Sequence, residues 1–497
     1  MSPTPKISIP KGTKDVLPSA SHDWQYLEGV LRRCAADFGF QEIRFPAFEH
    51  TELFLRGVGD TTDIVQKEMY TFEDKGGRSI TLRPEGTASV VRSLIENGLY
   101  AGTLPLKVYY IAPNFRYEKP QAGRLREHHQ FGVEMFGAPG AAADAEVIAL
   151  ADTFLRRLGI ETLTVSINSI GCPVCRKAYH AALRDYFNAY RGELCELCLD
   201  RLERNPLRLL DCKEPHCGEI AANAPKTLDY LCEDCAAHFT SLQHQLDLLG
   251  IPYRVDPRIV RGLDYYTKTV FEFVAGNIGA QSTVCGGGRY DRLVESLGGP
   301  ALPGLGFGCG LERLLLVLQE SGIALPPAPG PDVFLASADA SAQDTTAQLV
   351  LALRRAGVAV EHDVTGRSLK AQLKYADKLH TRYLLILGGN ELETGGPPGQ
   401  GSQSCRPDCK GGGCAWCVRL SPDTSFGSPD APACAVPVQA ASQLVPFRLE
   451  AGRGFSVLSL GLTSFFDFGD KKRPSTFRRL RPVNGQFFGI QLLCSVR

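Results

Sequence analysis

The sequence lacks a long apolar run, an excess of either charge and any internal repeat. No stretch approaches the roughly 18 consecutive apolar residues that a membrane-spanning helix needs, and the opening segment MSPTPKISIPKGTKDVLP has no apolar signal-peptide region. We therefore expect a soluble, cytoplasmic protein with no membrane partner. The charges balance at 54 basic and 54 acidic residues, which excludes a broad basic surface as the means of holding nucleic acid.

The chain is long enough for several domains. Its 497 residues exceed the roughly 250 to 300 at which single cores stop growing, so two or three domains are expected. The proline-rich segment SGIALPPAPGP, residues 321–331, is a predicted linker. Antiparallel hairpins mixed with helices before it favour an α+β domain, and strands alternating with helices after it favour a small α/β domain.

Apolar spacing predicts the elements of the first domain. It indicates a helix from Ser21 to Phe38, a strand over QEIRF and a long antiparallel hairpin formed by KVYYIAPNFRYEKP and HHQFGVEMFG. CGGGRYDRLVESLGG predicts a glycine turn before a short helix, and LGFGCGLERLLLVLQ predicts a glycine-rich strand that leads into a helix.

The hairpin carries polar residues suited to a ligand. Arg116 follows one strand, and Gln130 and Glu134 lie four residues apart on one face of the other. An arginine held at a strand end can form two parallel hydrogen bonds to a phosphate, which lysine cannot. Taken alone, such a hairpin is more often a solvated surface.

The hairpin does not stand alone. FRYEKPQAGRLREHHQFGVE resembles motif 2 of class II aminoacyl-tRNA synthetases, in the form found in bacterial-type histidyl-tRNA synthetases. QEIRFPAFEHTELF resembles motif 1, with Pro46 at the dimer-interface position, and GFGCGLERLLLVL resembles motif 3. LRPEGTA and RGLDYYTKTVFEF resemble the two segments that distinguish the histidine enzymes. The resemblance covers about residues 6–394 and is broken by a cysteine-rich insertion.

The resemblance implies a fold and a reaction. The fold would be a class II antiparallel sheet with helices, an insertion and a small α/β anticodon-binding domain. The enzyme would activate histidine with ATP and Mg²⁺ to histidyl-adenylate, transfer it to tRNA(His), and act as a homodimer. The implied domains are residues 1–170 and 241–322 for the catalytic core, 171–240 for the insertion, 331–394 for a partial anticodon-binding domain and 395–497 for an aberrant, disordered tail.

The resemblance also implies which residues handle ATP. Arg116 would hold the α-phosphate, Arg313 would hold the γ-phosphate, and Arg261 would reach both the α-phosphate and the substrate carboxylate. Charge builds on phosphoryl oxygens during this reaction, which arginines and Mg²⁺ stabilise. The glycines that would let main chain lie against adenosine are Gly304, Gly306 and Gly308. Without the other motifs, this glycine-rich strand would more simply be a tight packing seam.

Histidine recognition is implied for a further set of residues. The α-ammonium group would be bound by Glu85, Thr87 and Gln130. Glu134 and Tyr266 would bracket the imidazole nitrogens, with Tyr265 beside them. Two simpler interpretations stay open: Glu85 caps the start of a helix, and the two tyrosines are ordinary strand aromatics, one on each face.

Eight cysteines cluster in the insertion, mostly as CxxC pairs. Tetrahedral zinc takes four thiolates from two such pairs, so two structural sites are expected, since four-sulfur zinc has no open position for substrate. The alternatives are reduced cysteines, a decayed site or a single zinc. The resemblance implies that this module contacts the tRNA acceptor stem. The cysteine pairs are Cys172/Cys175, Cys195/Cys198, Cys212/Cys217 and Cys232/Cys235.

The family pattern ends near residue 394. Apolar periodicity gives way abruptly to glycine, proline and cysteine, which predicts a frameshifted reading frame rather than ordinary divergence. The alternative is an added zinc-binding tail that uses Cys405, Cys409, Cys414 and Cys417.

Two other functions compete with the synthetase. One is a non-catalytic paralogue, the regulatory subunit of ATP phosphoribosyltransferase, and the other is a zinc-bearing nucleic-acid-binding protein with a vestigial core. The joint presence of Arg116, Arg261 and Arg313 counts against both.

Overall fold

A computed structural model describes residues 6–59, 62–161, 163–212, 214–275, 283–388 and 419–420. The chain divides into two compact units, Met1–Pro327 and Ala328–Arg497. Each unit is described by itself.

The first unit begins with a helix and the elements that contain the predicted hairpin. They are α1 (Pro18–Asp37), β1 (Gln41–Glu42), β2 (Phe48–His50), α2 (Thr51–Val58), β3 (Tyr70–Glu73), β4 (Ser79–Leu82), α3 (Thr87–Glu96), β5 (Leu106–Phe115), β6 (Glu127–Phe136), α4 (Ala141–Arg157) and β7 (Leu163–Ser169).

Four helices of the cysteine-rich insertion follow, and the chain then returns to the sheet. These elements are α5 (Pro173–Asn188), α6 (Glu196–Arg204), α7 (Pro215–Ala222), α8 (Glu233–Leu248), β8 (Tyr253–Val255), β9 (Thr267–Ala275), β10 (Thr283–Arg289), α9 (Leu293–Ser296), β11 (Gly304–Gly310) and α10 (Leu311–Glu320).

The large sheet has the order β1-β5-β6-β11-β10-β9-β7-β8 within the described residues. The central pairings from β5 to β7 are antiparallel, and β1 and β8 pair in parallel at the two ends. The predicted hairpin is therefore confirmed as β5–β6. The α+β class predicted for this domain is confirmed as well.

One face of the sheet packs into a large apolar core, and the other carries polar side chains beside a second apolar cluster. Along β6, Phe131, Val133 and Met135 are buried in a core that also takes residues from α1, α4, α8 and α10. Because side chains alternate across a strand, Gln130 and Glu134 lie on the opposite face. This alternation leaves one face of the sheet available for a polar site.

Two predictions about the sheet were wrong in detail. The strand expected over QEIRF is limited to Gln41–Glu42. The glycine turn expected in CGGGRYDRLVESLGG is part of strand β10, because its glycines allow close contact with neighbouring groups rather than a turn. A Cβ at Gly287 would lie 2.1 Å from the carbonyl oxygen of Gly306.

A small sheet with the order β2-β4-β3 exposes apolar residues. Phe48 and Phe72 are 57% and 48% exposed. The register pairs Phe48 with Leu82 and Phe72 with Ile80, so these side chains share one face. This face includes the end of the predicted motif 1 segment.

The second unit has the predicted βαβ pattern. Its elements are β12 (Val333–Ser337), α11 (Gln343–Arg355), β13 (Val360–His362), α12 (Leu369–Lys378), β14 (Tyr383–Leu387) and β15 (Arg419–Leu420). Strand β15 pairs antiparallel with β14, and β12 pairs in parallel with β13 and β14.

The predictions for the tail concern residues that are mostly outside the described ranges. The frameshift and the alternative cysteine site at Cys405, Cys409, Cys414 and Cys417 therefore stay predictions. Among the described helices, none combines the length and the apolar character required to cross a bilayer.

Candidate active site

A cavity of about 620 Å³ lies on the polar side of the large sheet. Five arginines line it, among them Arg116 just after β5, Arg261 in the loop before β9, and Arg313 in the first turn of α10. Gly308 of β11 contributes to the same wall. The three arginines that sequence analysis placed around ATP therefore surround one cavity. Its lining also includes the carboxylates Glu118, Asp211, Asp256, Glu272 and Glu312.

The backbone of Arg261 adopts a left-handed conformation with a φ of 58°. Its guanidinium forms an ion pair with Glu272 of β9, which also accepts a hydrogen bond from the Thr283 hydroxyl at 2.9 Å. Burial opposes charge on Arg261, but the Glu272 carboxylate outweighs it, so the pKa of Arg261 is raised. Arg261 is thus fully charged and held beside the cavity.

The other two arginines are fixed by main-chain carbonyl groups. Arg116 donates from Nε to the carbonyl oxygen of Pro84 at 2.8 Å, and Arg313 donates from Nη1 to that of Thr283 at 3.0 Å. His128 also lines the cavity, where burial and then Arg116 lower its pKa to about 3. His128 is therefore neutral at pH 7 and does not add to the positive charge.

A closed polar cluster adjoins the cavity. Glu134 is 1% exposed, and its two carboxylate oxygens accept hydrogen bonds from Thr87 Oγ1 at 2.8 Å and from Tyr290. Burial raises the pKa of Glu134 to about 8, although the two hydroxyl donors oppose the shift. The carboxyl group is therefore mainly protonated near pH 7 in the absence of a ligand.

Glu85 lies in the same buried region, next to the start of α3. Its carboxylate accepts hydrogen bonds from the backbone amides of Thr87 and Ala88, both at 2.8 Å. The helix-start interpretation is therefore correct, and it does not exclude a second role. Burial raises the pKa of Glu85, because it outweighs these amide donors and the nearby Arg116.

Gln130 is anchored by a neighbouring strand and faces glycine. Asn114 of β5 donates to Gln130 Oε1 at 2.5 Å. A Cβ at Gly308 would lie 1.7 Å from Gln130 Nε2, and one at Gly306 would lie 2.1 Å from Glu134 Oε2. These two glycines leave space for the polar side chains of β6. Gly304 has a different role, since a Cβ there would lie 2.4 Å from the ring of Tyr290.

The two tyrosines before β9 lie together. The ring centroids of Tyr265 and Tyr266 are 4.8 Å apart, and Tyr265 is 5.5 Å from Tyr290. The alternative of one aromatic on each strand face is therefore wrong, because both residues precede β9 and pack in one cluster. The residues that line the cavity do not include these tyrosines, Glu85, Thr87, Gln130 or Glu134. In this cluster Gln130 and Tyr265 are half-buried, and the other residues are buried.

Known protein families match most of the chain. The model described as histidyl-tRNA synthetase matches residues 12–314, and that described as an anticodon binding domain matches residues 332–397. A histidine–tRNA ligase from Caldanaerobacter subterraneus subsp. tengcongensis is 58% identical over 385 residues, which are 78% of this chain and 92% of the relative. The chain belongs to the histidyl-tRNA synthetase family.

Further relatives agree with this family. A histidine–tRNA ligase from Acetivibrio thermocellus is 57% identical over 386 residues, covering 78% of this chain and 93% of the relative. The apo histidyl-tRNA synthetase of S. aureus is 40% identical, with a TM-score of 0.68 over 79% of this chain and 94% of that structure. The predicted fold class and enzyme class, an aminoacyl-tRNA synthetase, are thus confirmed. The regulatory paralogue has less support.

The insertion of this family member brings its eight cysteines into two groups of four. In each group the four sulfur atoms lie within 4.8 Å of one another. Sequence analysis found the pairs but not how they combine: the first pair joins the fourth, and the second joins the third. The groups are Cys172, Cys175, Cys232 and Cys235, and Cys195, Cys198, Cys212 and Cys217.

Their spacing fits tetrahedral metal coordination. Cys172 Sγ lies 3.7 Å from Cys175 Sγ and 3.9 Å from Cys232 Sγ, and Cys195 Sγ lies 3.9 Å from Cys212 Sγ. A tetrahedral zinc with bonds of roughly 2.3 Å places its sulfurs about 3.8 Å apart. None of the cysteines in the described residues forms a disulfide.

Sequence analysis missed several residues of the site. Glu272 could have been identified from the sequence, because it is a carboxylate between Phe271 and Phe273 in an apolar strand. No sequence feature identifies Tyr290 and Thr283 as site residues, since their contacts depend on how β9, β10 and β11 pair.

Proposed function

We propose that this family member activates histidine with ATP in the described site and transfers it to tRNA(His). The supporting observation is the arrangement of Arg116, Arg261 and Arg313 around one cavity that adjoins the buried carboxylates Glu85 and Glu134. An arginine-rich cavity suits a triphosphate, and a closed polar cluster suits an amino acid with an ammonium group and an imidazole.

The arginines would act on the phosphates. Attack of the histidine carboxylate on the α-phosphate forms the carboxyl–phosphate bond and releases pyrophosphate, and negative charge grows on the phosphoryl oxygens. Arg116 and Arg261 would stabilise that charge at the α-phosphate, and Arg313 would bind the γ-phosphate. Fixed donors are effective here because they need little reorganisation during the reaction.

The buried cluster would select histidine. Glu85, Thr87 and Gln130 would bind the α-ammonium, while Glu134 and Tyr266 would bind the imidazole nitrogens, with Tyr265 packed beside them. Histidine would have to displace a contact of Glu134 with Thr87 or Tyr290, and its imidazole N–H would replace that donor. An amino acid without ring nitrogens would leave these buried groups unpaired.

Two kinds of metal fit the residues present. Glu118, Asp211 and Asp256 line the cavity and are oxygen donors of the type that Mg²⁺ accepts together with water and phosphates. Mg²⁺ would neutralise charge on the leaving pyrophosphate. The two cysteine groups would each hold one structural zinc, which supplies cross-links within the insertion and takes no part in the reaction.

The remaining partners follow from the surface and the domains. A second copy of the chain would cover the exposed Phe48 and Phe72 face of the small sheet, which forms part of the motif 1 region. The insertion would contact the acceptor stem, and the unit that begins at residue 328 would contact the anticodon. We place the enzyme in the cytoplasm, where tRNA is charged.

The test is exchange of labelled pyrophosphate into ATP by the purified chain, because this reaction needs no tRNA. We expect exchange with histidine and none with the other amino acids. Absence of exchange by a folded, dimeric sample would instead favour the regulatory paralogue. Charging of tRNA(His) is then measured separately to ask whether the transfer step works with the present C-terminal segment.

A further inference from the structure

The cysteine-rich insertion contacts the loop that bears Arg261. Arg208, in the short turn Pro206–Asp211 between α6 and α7, donates from Nη1 to the carbonyl oxygen of Arg261 at 3.2 Å and from Nη2 to that of Gly262 at 2.6 Å. Its Nε lies 3.2 Å from Asp264 Oδ1. One arginine of the insertion thus binds three residues of a single loop.

Other residues of the insertion reinforce this contact. Asn205 donates from Nδ2 to Asp264 Oδ1 at 3.1 Å, and Arg176 donates to the carbonyl oxygen of Tyr266. The second half of this loop contains the proposed catalytic arginine and the proposed imidazole ligand, and it is therefore held by the insertion.

These contacts are buried rather than superficial. Arg208 is 6% exposed, so its guanidinium is removed from water and depends on the loop for hydrogen-bond acceptors. The loop in turn needs support, because Arg261 adopts a φ of 58°, which is unfavourable for a residue with a side chain. Its side chain is also confined, since a Cβ at Gly286 would lie 2.5 Å from Arg261 Nη1.

The contacts originate next to the cysteine groups. Arg176 directly follows Cys175 of the first group, while Asn205 and Arg208 lie between Cys198 and Cys212 of the second. The geometry of each cysteine group thus determines the backbone positions of these three residues.

We infer that the insertion is a positioning element of the histidine-activation site, in addition to any contact with tRNA. Arg208 is the main positioning residue, and it acts through the main chain of Arg261. The inference rests on the proposed histidine activation. It goes beyond it by assigning the insertion a role in a reaction that does not involve tRNA.

The test is a double-mutant cycle read by pyrophosphate exchange in the absence of tRNA. Arg208→Ala should lower kcat on the order of 100-fold, because small displacements of a catalytic group have effects of this size. The KM for histidine should change much less. In an Arg261→Ala background, the same Arg208→Ala change should alter kcat less than threefold, since its effect passes through Arg261.

The control is Arg191→Ala, which removes an exposed arginine of the same insertion whose partner is Glu203. It should leave exchange unchanged. Circular dichroism and the elution volume establish that each variant is folded. If Arg208→Ala does not fold, Asn205→Ala removes a single bond to the same loop and is judged by the same criteria, with a smaller expected loss.

Wild-type exchange by a folded Arg208→Ala or Asn205→Ala variant would overturn the inference. The inference would also be overturned if Arg208→Ala lowered kcat by the same factor in the Arg261→Ala background as in the wild type. Failure of the proposed function itself is distinguishable, because the wild-type chain would then show no histidine-dependent exchange before any variant is made.

Discussion

The site has two sides that differ in charge and in access. The proposed phosphate side is an open cavity with Arg116, Arg261 and Arg313 on its walls. The proposed histidine side is closed to solvent and contains Glu85 and Glu134, which are 3% and 1% exposed. A cavity that offers several arginines can accept a large, solvated triphosphate, whereas a closed pocket recognises a small ligand by satisfying every buried polar group.

Because the two sides differ in access, we expect substitutions on one side to affect catalysis and substitutions on the other to affect specificity. On the open side, changes should mainly affect the rate, because the arginines stabilise charge that grows in the transition state. On the closed side, changes should mainly affect which amino acid is bound. Substitutions on the two sides therefore give different kinetic signatures.

The largest effect is expected on the open side. Arg261→Ala should lower kcat for exchange by roughly 1,000-fold, because it removes a fixed donor from the reacting phosphate. The matched control is Arg292→Ala, an exposed arginine paired with Glu295, which should leave kcat unchanged. Unaltered turnover in Arg261→Ala would remove its assigned role.

On the closed side, Glu134→Gln should lower kcat/KM for histidine by about 10- to 100-fold, the range for losing a hydrogen bond to a charged group. The loss should be mostly in KM, and the KM for ATP should stay near the wild-type value. Equal changes in both KM values would argue against a division between the two sides.

Metal removal tests whether the position of the Arg261 loop, which lies between the two sides, depends on the insertion. The purified chain should contain two zinc ions per chain by mass spectrometry, and Cys235→Ser should retain one. That variant should lose roughly tenfold or more in tRNA-independent exchange, through displacement of the Arg261 loop. Cys34→Ala, a buried cysteine outside both groups, should keep both ions. Full exchange by metal-free chain would contradict this coupling.

The smallest effect is on the pH dependence of stability. The pKa of Glu134 is raised to about 8, so its protonated form stabilises the fold at low pH, and this contribution is lost as pH rises from the unfolded value toward 8. Glu134→Gln cannot ionise. The Tm of Glu134→Gln should therefore rise relative to that of the wild type. The expected change is roughly 2 °C per pH unit between pH 6 and 8. A constant difference over that range would place the Glu134 pKa elsewhere.

The sequence predicted most of the fold because local patterns determine it. The β5–β6 hairpin and the glycine-rich strand β11 follow from alternation and spacing. The strand β10 was missed because three successive glycines usually indicate a turn. Here each glycine instead has a close neighbour, which is Arg261, Gly306 or Thr269.

The same limit applies to the site. Arg116 and Arg313 could be identified because each lies inside a compact motif. Arg208 could not, because its contact with the Arg261 loop joins segments of the chain that are 53 residues apart. The pairing of the cysteines was equally out of reach, since spacing identifies CxxC pairs and only the folded insertion decides which pairs meet.

The most direct test of the two-sided site is exchange with histidine and with its two ring-N-methylated derivatives, with ATP held constant. The account predicts exchange with histidine alone, because a methyl group on either ring nitrogen removes a hydrogen bond and does not fit the closed cluster around Glu134 and Tyr266. Exchange with both methylated derivatives at rates near that of histidine would contradict it.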